Sequence, residues 1–352
     1  MNRGNQNKPI YETGEVRIGV QSPGDGWLKL DGSTLSGTAL GKKLSKFGYF
    51  SWVTQVSNLG AVNINDIAYG NGVWVLGSSG GDVRSSTDGA TWTTRTSNFG
   101  VTSIQSVAHN GLTGASSTFV AVGLAGTLRT STDATTWTTR TSQFGTTDIG
   151  LIAYGNGLWV AAGTAGTLRT STDAITWTTR VSNFGTTSIQ GIAYGNGIWV
   201  AVGSAAIRTS TDATTWVTQT SYTPSTASFN GIRFNNGNFL ATTDVVYKSS
   251  DGVTWTSKDT GLNGTFIQNI VYGNGIWYAL ASSGLSRVSV DNGETWSARN
   301  TISTGLFTAA WYNDGKFAIG ASTILKTADV NSAVVLPTLN FGYNVWGWIY
   351  SE

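Results

Sequence analysis

Few residues in this 352-residue chain could do acid–base, nucleophilic or metal chemistry, and their spacing says much about them. There is one histidine, His109, and no cysteine. A serine–histidine–acid triad therefore has a single candidate base, while disulfides and thiolate metal sites are excluded. His109, however, occupies a slot that recurs as Tyr69, Tyr154, Tyr194 and Tyr272, which reads as variation of a repeated position. The acids fall into two sets. Asp88, Asp133, Asp173, Asp212, Asp251 and Asp291 come once per repeat, too far apart for the paired carboxyls, about 5–9 Å apart, of glycoside hydrolysis. Asp148, Asp244, Asp259 and Asp314 stand outside the repeat, and nothing in the sequence pairs them. No group of residues has metal-ligand spacing, and neither a metal nor a cofactor is expected.

The basic residues repeat too. Arg84, Arg129, Arg169, Arg208 and Arg287 each stand two positions before a recurring serine. Arg95, Arg140, Arg180, Lys258 and Arg299 each stand three positions after a recurring tryptophan. Side chains distributed in this way ring a structure and do not converge on one anion. Net charge is only +2, with 11% charged residues against the usual ~25% and no run of like charge. A basic stripe for nucleic acid is therefore not expected. The first residues lead into no apolar stretch, and no run approaches the ~20 apolar residues of a spanning helix. Neither a secretory signal nor membrane insertion is expected, so action outside a cell requires release by another route, such as lysis.

These repeats define the architecture. One aromatic series runs Trp52, Trp92, Trp137, Trp177, Trp216, Trp255, Trp296, at steps of 39 to 45 residues. A second runs Trp74, Phe119, Trp159, Trp199, Phe239, Trp277, Phe317. One unit reads as four short strands, Ile149–Tyr154, Leu158–Gly163, Thr167–Ser171 and Trp177–Ser182, divided by Gly- and Asn-rich turns that supply positive φ. Four strands per ~40 residues is the period of a β-propeller blade. In the second unit, residues 112–118 enlarge the first turn.

The third turn carries the most specific pattern. Ser289-Val290-Asp291-Asn292-Gly293-Glu294-Thr295-Trp296 fits S-x-D-x-G-x-T-W, and five further copies are one residue shorter. It resembles the Asp-box (BNR) repeats of sialidase-like propellers over about 280 residues. The box aspartates are expected to be structural, accepting backbone N–H bonds inside the hairpin beneath the tryptophan. Sialidases on this fold carry clustered arginines, a Tyr–Glu pair and an Arg-Ile-Pro signature; Ile232-Arg233-Phe234 does not fit it.

The ends of the array predict how it closes. Trp52 opens a fourth strand, Ser51–Val56, with no partners before it, whereas residues 307–327 supply three strands with no fourth. An all-β, seven-bladed propeller over 50–330, its last blade completed by the N-terminal strand, removes both edges. Residues 1–49 and 331–352 lie outside it as a small anchor made from both termini. Gly24-Asp25-Gly26-Trp27-Leu28-Lys29-Leu30-Asp31-Gly32-Ser33-Thr34 and Leu336-Pro337-Thr338-Leu339 with Trp348-Ile349-Tyr350 resemble the two ends of phage tail-collar and tail-fibre domains. That resemblance implies a virion tail protein, extracellular after host lysis, with other tail proteins as neighbours and, as in many collar-like domains, a homotrimer.

Both chain crossings should lie at the Asp-box end of the propeller, leaving the end built from blade-to-blade connections facing outward. There Asn58-Leu59-Gly60, Asn98-Phe99-Gly100, Gln143-Phe144-Gly145 and Asn183-Phe184-Gly185 recur, and the next connection departs as Tyr222-Thr223-Pro224-Ser225. Two readings stand side by side: apolar plugs packed between blades, or a receptor-contacting ring of Leu59, Asn98, Phe99, Phe144, Asn183, Phe184 and Tyr222. The expected function is non-catalytic binding of a host-surface receptor, glycan or protein. The alternatives are a baseplate or decoration protein that meets only virion partners, and a sialidase-like glycoside hydrolase.

Overall fold

In a computed structural model, residues 16–19, 27–29, 34–35, 50, 52–220, 228–299, 302, 306–313, 315–329, 334–335 and 346–350 are described. The chain divides into two compact units, 52–328 and the two flanks 1–51 with 329–352.

The larger unit is a seven-bladed all-β propeller of seven four-stranded antiparallel sheets. Blade three shows the pattern: Ile149–Gly155, Leu158–Gly163, Leu168–Ser171 and Thr178–Arg180, each hydrogen-bonded to the next. The second strands are buried end to end because both faces pack on neighbouring sheets, hence continuous apolar runs such as Trp159-Val160-Ala161-Ala162. The first hairpin turns on Asn156 and Gly157, with φ of 49° and 75°. Two successive positive φ values define a type I′ turn, whose twist matches a hairpin, and only Asn-Gly-like pairs adopt it without strain.

Closure is as the repeat arithmetic predicts. Val53–Gln55 joins Phe307–Asn313, Lys316–Ala321 and Ile324–Asp329 as the fourth strand of blade seven, with Leu325 opposite Gln55 and Thr327 opposite Val53. The chain thus enters and leaves the propeller at the end where the other blades make their Asp-box turns. The Gly-Asn-Gly turns share that end: Asn196 Nδ2 donates to Ser250 O in the next blade's box at 2.8 Å. The 112–118 enlargement sits in this set of turns, where Asn110 Nδ2 donates to Ser116 O at 2.7 Å.

The Asp boxes act as small folding units. Asp88 Oδ1 accepts the N–H groups of Ala90 and Thr91 at 2.8 and 2.7 Å and the Ser86 hydroxyl at 2.8 Å, while Trp92 Nε1 donates to Gly89 O at 3.1 Å. Asp133, Asp173, Asp212 and Asp251 repeat the backbone pair. In the longer sixth copy, Asp291 takes Glu294 and Thr295 N–H groups and the Thr295 hydroxyl. Donated hydrogen bonds favour the ionised form, so the Thr91 and Ala90 N–H groups hold the Asp88 carboxyl far below the usual carboxylate range.

The flanking unit is described by its backbone alone. Val16–Gly19 and Trp27–Lys29 pair antiparallel with Trp346–Tyr350 on either side, and Thr34–Leu35 pairs with Val334–Val335. Strands from both termini therefore share sheets. Gly24-Asp25-Gly26 and Leu336-Pro337-Thr338-Leu339, which carry much of the collar resemblance, lie outside the described residues.

Candidate binding site

The connection-loop end does not carry an exposed aromatic ring. Leu59, Phe99, Phe144 and Phe184 are each no more than 7% exposed, filling the seams between blades. Of the two readings left open by the sequence, the plug holds and the receptor ring fails for these residues, because each loop turns its apolar side chain inward. Asn98 and Asn183 are committed as well: their side-chain amides donate to Trp137 O and Trp216 O, both at 2.6 Å. Tyr222 lies outside the described residues.

The first arginine series completes the plug. Arg129, Arg169 and Arg208 stack their guanidinium groups over Phe99, Phe144 and Phe184 at 4.8, 4.6 and 5.0 Å from the ring centroids. Arg169 Nη2 also donates to Gln143 O at 3.1 Å, and Arg84 Nη2 to Asn58 O at 2.9 Å. The second series holds fourth strands to third: Arg140 Nε donates to Thr130 Oγ1 and Arg180 Nε to Thr170 Oγ1. Both rings of arginine are structural cross-links.

His109 is likewise part of the repeat. Its Nδ1 accepts the Gly111 N–H at 2.9 Å, which leaves the proton on Nε2 facing Ser117 Oγ at 3.0 Å. Burial lowers its pKa to about 4, so the ring is neutral at pH 7. A Cβ on Gly70 would fall 2.0 Å from the ring, the same close approach that Gly155 makes to Tyr194.

What the connection-loop end does offer is the mouth of the central channel and a scatter of exposed apolar side chains. Val101, Leu124, Phe266, Leu285 and Leu306 all lie in connections or second-to-third turns at this end, and Phe266 is half exposed. In its connection Leu262 is the buried plug, which frees Phe266 four residues later.

The channel, about 360 Å³ in volume, is lined by the first strands of the blades. Their second residue is the extra one of a β-bulge: the register shifts between Ile64 and Asp66, between Ile149 and Leu151, between Ile189 and Gly191, and between Ile267 and Asn269. Bulges leave a residue unpaired and re-aim it. At this slot, at the mouth, stand Asn65, Gln105, Gln190, Asn230 and Gln268, with Gly150 and Thr308 in the other two blades. Deeper in, Arg233 replaces the small residue of this slot (Ala68, Ala108, Ala153 or Ala193 elsewhere), and Trp311 does so in blade seven. The Arg233 guanidinium lies 5.2 Å from the Trp311 ring centroid, and its Nη2 makes one 3.4 Å bond to Ala310 O. Among the described residues its Nε and Nη1 make no hydrogen bond, and the charge that acts on it is the Asp66 carboxylate. Asp66, the opposing charge in the channel wall, accepts bonds from Ile67 N, Ser106 Oγ and Val107 N at 2.8 to 2.9 Å. Burial pushes its carboxyl up, against the opposing pull of Arg233.

Sequence reasoning passed over Asp66 and set Arg233 aside as a failed sialidase signature. The available signal was departure from the repeat: a charge in a slot the other blades fill with neutral side chains. No group of three or more metal-ligating side chains occurs among the described residues.

No protein-family profile matches the chain, and no curated protein matches it in sequence. Solved structures do match in fold. Virginiamycin B lyase from Staphylococcus aureus superposes with a TM-score of 0.70 at 11% identity, over 79% of this chain and 99% of that one. YCF48 from Cyanidioschyzon merolae gives 0.62 at 15%, over 79% and 98%. The WD40 propeller domain of Doa1 gives 0.63 at 11%, over 80% and 97%. At such identities the likeness is of fold, and the fold is the β-propeller.

Proposed function

We propose that this chain is a non-catalytic receptor-binding component of a phage-type tail, whose propeller engages a glycan on the host surface. One observation carries the reading. Both chain crossings lie at the Asp-box end, which leaves the connection-loop end, with half-exposed Phe266 and the polar first-strand slot of the central channel, free of them. A concave channel lined by polar side chains, at an end that also exposes an aromatic ring, suits recognition. The resemblance of the flanks to tail-collar ends supplies the context: the flanking unit tethers the protein to neighbouring tail proteins in a virion.

The test is an array of bacterial surface polysaccharides probed with the full-length protein, with reducing ends assayed in parallel. Retained binding without new reducing ends is expected. Release of reducing ends contradicts the proposal in favour of the hydrolase reading, for which Asp66 in the channel is the acid to suspect. A silent array contradicts it in favour of a protein that meets only virion neighbours.

A further inference from the structure

Four residues after its buried plug, each blade connection presents one side chain just before the first strand. After Leu59, Phe99, Phe144 and Phe184 that side chain is Asn63, Ser103, Asp148 and Ser188. After Leu262 and Ile302, the plugs of the connections into blades six and seven, it is Phe266 and Leu306. A second position behaves alike. The residue whose carbonyl closes the second-to-third turn is Asp82 in blade one and Thr127 and Thr167 in the next two, but Leu285 in blade six. In blade seven the corresponding residue, which opens the third strand, is Ile324. The fold tolerates polar side chains at both positions. Only in blades six and seven do large apolar residues fill both.

Backbone bonds place the four in one sector of the connection-loop end. Ser282 N donates to Phe266 O and Ser322 N to Leu306 O, both at 2.9 Å. Between the two blades, Asn269 Nδ2 donates to Thr308 O at 3.3 Å. The order around the ring is therefore Phe266, the turn at 282–285, Leu306 and the turn at 322–324. Each of the four apolar side chains is a third to a half exposed. The sector is also uncharged: residues 260–267, 281–286, 300–308 and 320–325 contain no Asp, Glu, Lys, Arg or His. Arg287, which follows the second of these segments, is committed, its Nε and Nη2 donating to Thr260 O and Gly261 O at 2.9 Å.

Area and charge limit what such a sector can hold. A stable protein interface takes ~800 Å² from each partner, several times what four partly exposed side chains offer, whereas one or two sugar rings match it. The absence of charge calls for a neutral ligand. Aliphatic side chains return no hydrogen bond, so a hydroxyl set against them loses its water without replacement. A methyl group there gains by leaving water. Gln268, two residues along from Phe266 and on the channel side, makes no side-chain hydrogen bond among the described residues. Its carboxamide offers a donor and an acceptor to ring hydroxyls. We propose that this sector docks a neutral 6-deoxyhexose, its methyl group against Leu285, Leu306 and Ile324 and its ring against Phe266. The proposal rests on the glycan-binding reading and names the sugar class that reading leaves open.

L-Rhamnose and L-mannose differ only at C6, a methyl against a hydroxymethyl group, and so do L-fucose and L-galactose. All four are titrated onto the full chain by saturation-transfer NMR up to about 10 mM, a range suited to ~mM affinity. At least one deoxy sugar should bind, and about fourfold or more tightly than its hydroxylated counterpart, the value of one buried methyl group. The double variant Leu306→Ser, Ile324→Thr, which installs residues that other blades carry at these positions, should lose that preference. Val101→Ser, outside the sector, should keep it. Equal binding within both pairs, no binding of either deoxy sugar, or a preference that survives in the double variant overturns the proposal. So does tighter binding of N-acetyl-leucinamide, which assigns the sector to a protein chain. A dimer of the unaltered protein in sedimentation that the double variant dissolves also overturns it, assigning the sector to a second copy. If polysaccharides bind on the array while the deoxy sugars do not, the sector falls and the glycan-binding reading stands; if both are silent, both fall.

Discussion

Gln55 Nε2 donates a 2.7 Å hydrogen bond to Thr327 Oγ1 across 272 positions of sequence. It is the bond that Arg95 makes to Ser85, Arg140 to Thr130, Arg180 to Thr170 and Gln219 to Thr209 inside single blades. The ring is therefore closed with the same cross-link that holds each blade together. Lys326 Nζ adds a 2.6 Å bond to Thr54 Oγ1 in the same strand pair.

Deleting Trp52–Val56 leaves blade seven with three strands and an open edge, so the purified protein should elute as aggregates in size-exclusion chromatography. Gln55→Ala, which keeps the strand, should cost only about 0.5–1.5 kcal/mol in denaturant unfolding and leave the protein monodisperse in the same column as the unaltered chain.

The plug and the exposed rim should separate cleanly. Phe144→Ala empties a buried seam and removes the surface on which Arg169 stacks; a loss of about 3–5 kcal/mol is expected in urea unfolding. Phe266→Ala should change stability by no more than ~0.5 kcal/mol, yet weaken binding on the polysaccharide array. A stable Phe144→Ala variant would contradict the buried-plug geometry.

Glycine 155 is held to its size by its neighbour. A Cβ there would meet Tyr194 Cβ at 2.5 Å, so Gly155→Ala should destabilise by about 1–3 kcal/mol through overpacking. Gly157→Ala meets nothing within 4 Å but has φ of 75°, so its cost is backbone strain instead. Thermal melts of a Gly155→Ala, Tyr194→Ala pair tell the two apart, since the double variant should recover part of the first loss only.

Stability should fall with pH in two arms. His109 titrates near 4 when folded and near 6.5 when unfolded, so its contribution is complete above pH 6.5 and is lost as pH falls to 4. Allowing for solvent around this half-buried ring, that arm amounts to about 1–2 kcal/mol. His109→Tyr, the residue of the other blades, should flatten it. The Asp-box carboxyls, lowered in the fold, contribute fully above about pH 4 and lose that contribution as pH drops further. Chemical unfolding between pH 2 and 8 reads both arms.

The fold was legible because it repeats: Trp spacing, Asn-Gly turns and Asp boxes each occur often enough to average out local ambiguity, and the orphan strand at Trp52 fixed the closure. The site was less so. Whether Phe144 points into a seam or into solvent depends on a loop with positive φ at Gln143 and on Arg169 from the next blade, neither of which sequence periodicity reveals. The carboxamide mouth depends on a bulge that shifts register by one residue, invisible in an alternation pattern. Arg233 was visible as a departure, but its place beside the Asp66 charge and the Trp311 ring emerges only in three dimensions.

The chain's lack of cysteine allows the central claim to be tested directly. Thr186→Cys lies in a blade connection and Ile175→Cys in an Asp-box turn, both at exposed positions at opposite ends of the propeller. Each variant is coupled to a maleimide polyethylene glycol and its binding to the polysaccharide array is measured. Binding should be blocked by the polymer at position 186 and preserved with it at position 175; blockage at 175 with preservation at 186 would contradict the account.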